Sequence, residues 1–165
     1  MSIVNNPKKH DEHTDDLRAA IEHRATWMYL LLDEARKQGL NWDDFARKAI
    51  FKCGQFHGNV KFSQTDDLCQ LAKEFTVDTY KKVFDMEIVE LNDERFIVEF
   101  HSCPLVSAWL KQTENEDDID TLCDIAMDGD RGIVDTFPAF DFDLQGTIAA
   151  GEKVCRLVFT RNTQS

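Results

Sequence analysis

The sequence predicts an α+β domain. Three observations lead there. Apolar residues recur at helical intervals as far as about residue 83, two later stretches alternate apolar and polar residues with period two, and two helical segments lie between those stretches. The expected architecture is N-terminal helices packed on a mainly antiparallel sheet of two hairpins, with two short helices between the hairpins. Residues 1–13 are polar and read as a disordered tail, leaving 14–162 as a single α+β domain.

The first helix is expected to start with Thr14 as N-cap and acids in its first turn, and to stop at Gly39. Leu17, Ile21, Met28, Leu31, Leu32 and Ala35 make its apolar stripe, with Trp27 and Tyr29 packing beside it. A second helix opens at Asn41, with Phe45, Ala49, Cys53, Phe56 and Val60 as its buried positions. Gly54 and Gly58, four residues apart, either admit another backbone closely or mark a bent, weakened end. His57 beside the stripe reads as structural. A third helix follows Ser63 or Thr65 and buries Leu68, Leu71, Ala72, Phe75 and Val83, with Cys69 as filler.

The period then changes. Met86 to Leu91 and Arg95 to Cys103 alternate around the turn Asn92-Asp93-Glu94, which reads as a β-hairpin. Phe96, Val98 and Phe100 share one face of its second strand; Ile97, Glu99, His101 and Cys103 share the other. Pro104 ends the strand and suits a helix's first turn, so Pro104 to Gln112 is predicted helical with Cys103 at its N-cap. A second short helix is predicted over Asp117 to Met127, broken by Gly129 and Gly132. Phe140 to Leu144 and Lys153 to Thr160 complete a second hairpin.

Composition narrows the function. The chain has 165 residues, 42% hydrophobic and 30% charged, with 12 Phe against 2 Tyr. Rings without polar tips suit a core better than a stacking surface. A formal net charge of -12 argues against nucleic-acid or anionic-membrane partners. No leader or span-length apolar run is evident, which points to the cytoplasm. The five cysteines are an odd number and suggest reduced thiols. No phosphate loop, dinucleotide fingerprint or GxSxG elbow is present.

The chemistry-bearing stretch is His101 to Gly132. A thiol at a helix N-terminus is drawn toward thiolate, and His101 stands two residues before Cys103, so the pair could form an activated nucleophile. Asp124 or Asp130 could act as general base or orient a histidine, and Arg131 could grip a carboxylate. The alternative is a solvated acidic loop. His101, Cys103, Cys123 and Cys155 also suit a divalent metal in type, though not in spacing, so the cofactor is either none or such an ion.

Cys103-Pro104-Leu105, Leu122-Cys123-Asp124, Asp128-Gly129-Asp130, Gly151 and Cys155-Arg156-Leu157-Val158-Phe159 together resemble the C-terminal signature of the L-2-amino-thiazoline-4-carboxylic acid hydrolase family. The resemblance covers roughly the last 80 residues well. It implies hydrolytic opening of a small cyclic amidine. Cys103 would then be nucleophile or polarising group, His101 proton carrier, and Asp124 or Asp130 the acid engaging the amidine. Cys123 and Cys155 would line the site, and Arg131 would anchor the substrate carboxylate. Two rival readings share the scaffold. One is a non-catalytic small-ligand or metal sensor; the other is a Phe-rich interaction module forming a homodimer.

Overall fold

The computed structural model describes residues 3–162. The described residues form an α+β fold with one four-stranded antiparallel sheet, as the pattern predicts. The first three helices are α1 (Glu12–Lys37), α2 (Trp42–Lys61) and α3 (Leu68–Phe75). A short α4 (Asp78–Val83) leads into β1 (Met86–Leu91) and β2 (Arg95–Phe100). Then come α5 (Pro104–Trp109), α6 (Glu116–Val134), β3 (Phe140–Leu144) and β4 (Cys155–Arg161). The strand order is β1-β2-β4-β3, so the two hairpins join through β2 and β4.

The hairpins form where period and turn chemistry agree. Asn92 Oδ1 accepts from the backbone N–H of both Glu94 and Arg95, closing the first turn. Register then stacks Phe96, Phe159 and Phe142 in one row across three strands. The Phe96 and Phe159 rings stack at 4.9 Å, and Phe75 from α3 meets Phe159 edge-on at 5.1 Å. Much of the phenylalanine content is therefore core.

α1 begins earlier than predicted. Asp11 is the cap, accepting from Thr14 N–H, and the helix starts at Glu12. Of the predicted loose tail, residues 1 and 2 lie outside the described residues, and residues 3–10 are hydrogen-bonded at several points. Asn5 donates to the Cys103 carbonyl and accepts from the Cys103 N–H, both at 2.8 Å. Lys8 N–H donates to Asp85 Oδ2 at 2.7 Å. Buried Arg18 completes the dock, donating to the Val83, Lys82 and Lys9 carbonyls and lying 3.7 Å from Asp85. Polar side chains here satisfy buried backbone rather than water.

The predicted third helix divides. The Thr76 hydroxyl bonds the Ala72 carbonyl and ends α3, and α4 restarts after Val77. The helix predicted over Pro104 to Gln112 stops at Trp109.

The largest departures concern α1, α2 and α6. On α1, Leu31 and Trp27 are 64% and 66% exposed, and the buried line runs instead through Thr14, Arg18, Ala25, Tyr29 and Leu32. On α2, Phe45, Ala49, Cys53, Phe56 and Val60 are all exposed; the buried face is Trp42, Ala46, Gly54 and Gly58. α6 is not short. It runs on through Gly129 and Gly132 to Val134.

One contact explains both helices. A Cβ built on Gly54 would sit 2.0 Å from the Gly129 carbonyl oxygen, and one on Gly132 would sit 2.1 Å from the Phe51 carbonyl oxygen. α2 and α6 thus cross backbone to backbone, and glycine is required where they touch. The helical period finds large apolar residues. The packing selects the face without side chains, and neighbouring structure offsets glycine's weak propensity within α6. Among the described residues, no helix is long and apolar enough to cross a membrane.

Two glycine substitutions should separate contact from propensity. Gly54→Ala should cost about 1–3 kcal/mol or more, because backbone must move. Gly129→Ala meets nothing nearer than Ile50 Cγ2 at 3.7 Å. It should be neutral, or stabilise by up to ~1 kcal/mol. Urea unfolding midpoints at equal m-value check both.

Candidate functional site

Three thiols converge under the helices. Cys103 precedes α5, Cys123 lies on the inner side of α6, and Cys155 opens β4; all three are buried and unpaired by disulfide. Cys123 and Cys155 are hydrogen-bonded to each other, and Cys103 lies close enough to feel both as charges. Ile148 N–H also donates to Cys155 Sγ at 3.3 Å. The Thr147 hydroxyl accepts from Ala150 N–H at 3.0 Å and hydrogen-bonds Cys123. The turn carrying Thr147 and Ile148 is set by Gly146 and Gly151, both at positive φ.

These contacts set the three sulfurs apart. Burial pushes the Cys103 thiol up to about 12, and the neighbouring Cys155 adds to the rise. The Val106 and Leu105 N–H groups pull the other way and lose. Cys103 is therefore not primed as a thiolate by its helix, contrary to the expectation. Cys123 is held well above its ordinary value by its hydrogen bond to Cys155, then by burial. Cys155 alone is drawn down, first by that same bond and then by Ile148 N–H, against burial.

Asp130 faces this cluster, its charge acting on both Cys103 and Cys155. The residue as a whole is only partly buried, yet burial dominates its carboxyl and pushes it up to about 7. Its own N–H and the charge of Arg131 oppose this without prevailing.

The other predicted residues take different places. His101 Nε2 lies 3.2 Å from Glu87 Oε2 but is poorly aligned for a hydrogen bond. Among the described residues, His101 Nε2 makes no hydrogen bond, to Cys103 or to any other group. Strand alternation ends at Phe100, after which Ser102 turns back to Phe84 and Asp85, so two residues of spacing no longer mean one face.

Asp124 and Arg131 belong to a charge network. Arg131 donates to Asp124 Oδ1 at 2.7 Å, to Asp128 Oδ1 at 2.6 Å and to the Asp124 carbonyl at 3.0 Å. From α2, Arg47 reaches Asp124 at 2.8 Å, Asp43 at 2.7 Å and Asp128 at 3.3 Å. Burial would raise Asp124, but the Arg131 and Arg47 guanidiniums win and hold it below the usual range. Asp124 is thus a fixed anion, and Arg131 and Arg47 are both engaged by acids.

A cleft of about 340 Å³ lies outside the thiols, lined by Asp43, Arg47, Asp120, Asp124 and Thr147 among others. Thr147 spans the two, lining the cleft and bonding Cys123. Sequence reasoning missed Thr147 and Arg47. Only the Asp43–Arg47 spacing of four hinted at the second. As for a metal, no group of three His, Cys, Asp or Glu among the described residues is arranged to hold one. His101 stands with Glu87, and two of the sulfurs bond each other instead.

Fold and site define an α+β protein with a buried thiol–carboxyl centre beside a polar cleft. The family described as L-2-amino-thiazoline-4-carboxylic acid hydrolase matches residues 18–159, and the chain belongs to that family. The match spans the helical half as well as the C-terminal motifs. No curated protein matches the chain.

Asp130 makes a testable electrostatic statement. Its carboxyl rises from an ordinary 3.8 to about 7, so the folded state holds the proton more tightly. That stabilisation is complete below the unfolded value and is lost as pH rises through about 7. Asp130→Asn removes the dependence. Between acid and mildly alkaline pH, stability should shift in favour of the variant by ~1–3 kcal/mol, discounting for the residue's remaining exposure. Urea unfolding of both proteins across that range measures it; a constant difference would mean an unperturbed carboxyl.

Proposed function

We propose that the chain is a hydrolase that opens a small cyclic amidine, with L-2-amino-thiazoline-4-carboxylate the first substrate to test. One observation carries the reading beyond family membership: burial raises the Asp130 carboxyl to about 7 beside the Cys103 and Cys155 thiols. In the reaction, water adds to the ring carbon between nitrogen and sulfur, the carbon–sulfur bond breaks, and the sulfur leaves protonated as the thiol of N-carbamoyl-L-cysteine. A carboxyl of that pKa populates both forms at neutral pH. It can take the proton from water and return it to the departing sulfur.

Cys103 then acts as neutral polar lining rather than nucleophile, alongside Cys123 and Cys155. Arg47, the cation among the cleft-lining side chains, joins Arg131 as a candidate anchor for the substrate carboxylate, each already engaged by acids that a substrate carboxylate would have to displace. Asp124 keeps Arg47 in place. A second reading, a small-ligand sensor without turnover, is favoured by the sealing of Cys103 in the core.

The test is incubation with the thiazoline, following product by mass spectrometry and by release of free thiol. Wild-type turnover is expected to follow one ionisation near pH 7. Asp130→Asn should lower kcat by ~10²–10⁴-fold with its circular dichroism unchanged. Cys103→Ser should keep activity within about tenfold, far from the loss expected of a nucleophile. Absence of wild-type turnover would leave the sensor reading, and a fully active Asp130→Asn would remove Asp130 from the chemistry.

A further inference from the structure

Helices α1 and α2 leave a broad apolar surface without a partner. On α2, Phe45, Ala49, Cys53, Phe56 and Val60 recur at helical spacing, so they share one side, and all five are exposed. Arg47, Gly54 and Gly58 lie toward α6 instead. On α1, the buried line through Ala25, Tyr29 and Leu32 leaves Trp27, Leu30 and Leu31 outside. The two helices are consecutive, joined through residues 38–41, and Trp42 Nε1 donates to the Leu32 carbonyl at 2.7 Å. Half of the large apolar side chains exposed among the described residues lie on this pair and its joining turn, so the exposure is a patch rather than scatter.

We propose that this surface is a homodimer interface, in which α2 of one copy lies over α1 of a second copy about a two-fold axis. Area supports the assignment. Trp27, Leu31, Phe56 and Val60 are 59–66% exposed. With Leu30 and Phe45 they offer roughly 600–750 Å² of mainly apolar surface, near the ~800 Å² per partner of a stable interface. Charge supports it independently. α2 carries four bases against two acids, whereas α1 carries six acids against four bases. In a chain of formal net charge -12, α2 is thus a cationic element, and α1 of a second copy is its complement. Shape agrees, since small Ala49 and Cys53 lie between Phe45 and Phe56 and leave holes among knobs for a facing helix. A two-fold axis makes the α2-on-α1 contact twice and closes the assembly at two chains. Arg47 faces α6, so the interface leaves the polar cleft open.

This inference does not rest on the hydrolase reading, and its test needs no substrate. Sedimentation equilibrium of the full chain from about 1 to 100 μM should give twice the single-chain mass of 19.0 kDa. Phe56→Asp should raise the dissociation constant ~100-fold or more with circular dichroism unchanged, because Phe56 is mostly exposed in the single chain. Cys53 and Cys69 report which surface is used. Both are exposed in the single chain, but only Cys53 lies on the proposed interface. As protein concentration rises, iodoacetamide should alkylate Cys53 about tenfold more slowly while the Cys69 rate stays constant. A single-chain mass throughout that range overturns the proposal and leaves the face to a different partner. A dimer whose Cys53 rate does not fall overturns it too, since its contact then lies elsewhere. If Phe56→Asp does not fold, the Cys53 and Cys69 rates of the unaltered chain still decide.

Discussion

The close crossing of α2 and α6 is the constraint on which the site depends. Gly54 and Gly132 bring two helix backbones to a distance no side chain allows. Because α6 continues through Gly129 and Gly132, Asp128, Asp130 and Arg131 share one helix with Cys123 and Asp124. Had α6 ended at Met127, those last three residues would lie in a solvated loop. Asp130 would then have no buried neighbours to raise its pKa. The glycines thus act on the chemistry indirectly, by deciding how long the helix is and how near α2 it lies.

Around that crossing, charge and thiol are sorted by depth. Arg47 and Arg131 hold Asp124 and the buried Asp128, and the partial exposure of the arginines keeps each pair worth little alone. Together they clamp α2 to α6 next to the glycine contact. Deeper in, burial is the largest influence on Cys103 and on Asp130, where the charge of Arg131 opposes it without prevailing. Magnitudes settle the case of Cys103. A helix N-terminus contributes about 0.3–1 kcal/mol toward an anion. Raising a thiol from 9.0 to about 12 corresponds to roughly 4 kcal/mol the other way. Six residues of α5 cannot overcome that burial.

The fold class was legible because period and turn chemistry agree in both hairpins, and the Phe row across β2, β4 and β3 follows from alternation alone. The buried faces of α1 and α2 were not. Helical periodicity weighs a residue by its hydrophobicity, so it chose Phe45 and Phe56 over Gly54 and Gly58, and Leu31 over Arg18. A glycine has no side chain to weigh, and Arg18 is buried because three carbonyls and Asp85 await it from distant residues. Within the candidate site, Cys103, Cys123, Cys155 and Asp130 were singled out by residue type, and each influences at least one of the others electrostatically. The shared strand face expected for His101 and Cys103 could not be read across the break: the chain turns at Ser102, and strand parity cannot be carried through a turn.

The remaining step concerns why a carboxyl and three thiols should be enclosed together at all. Packing alone would favour an apolar side chain in place of Asp130, since burying an unpaired carboxyl costs free energy. The cost is limited by protonation, which is what a value near 7 expresses. A buried acid that is half neutral at physiological pH gives little to stability and much to proton transfer. The thiols make the same surroundings soft and weakly hydrogen-bonding, so no strong partner locks the proton on either side. Asp124, seven residues before Arg131 and ion-paired to it, shows the opposite arrangement on the same helix: a carboxylate fixed in its charged form and unavailable for exchange. Two acids six residues apart on one helix are thereby given different protonation states by depth and by arginine, which separates a structural anion from a mobile proton.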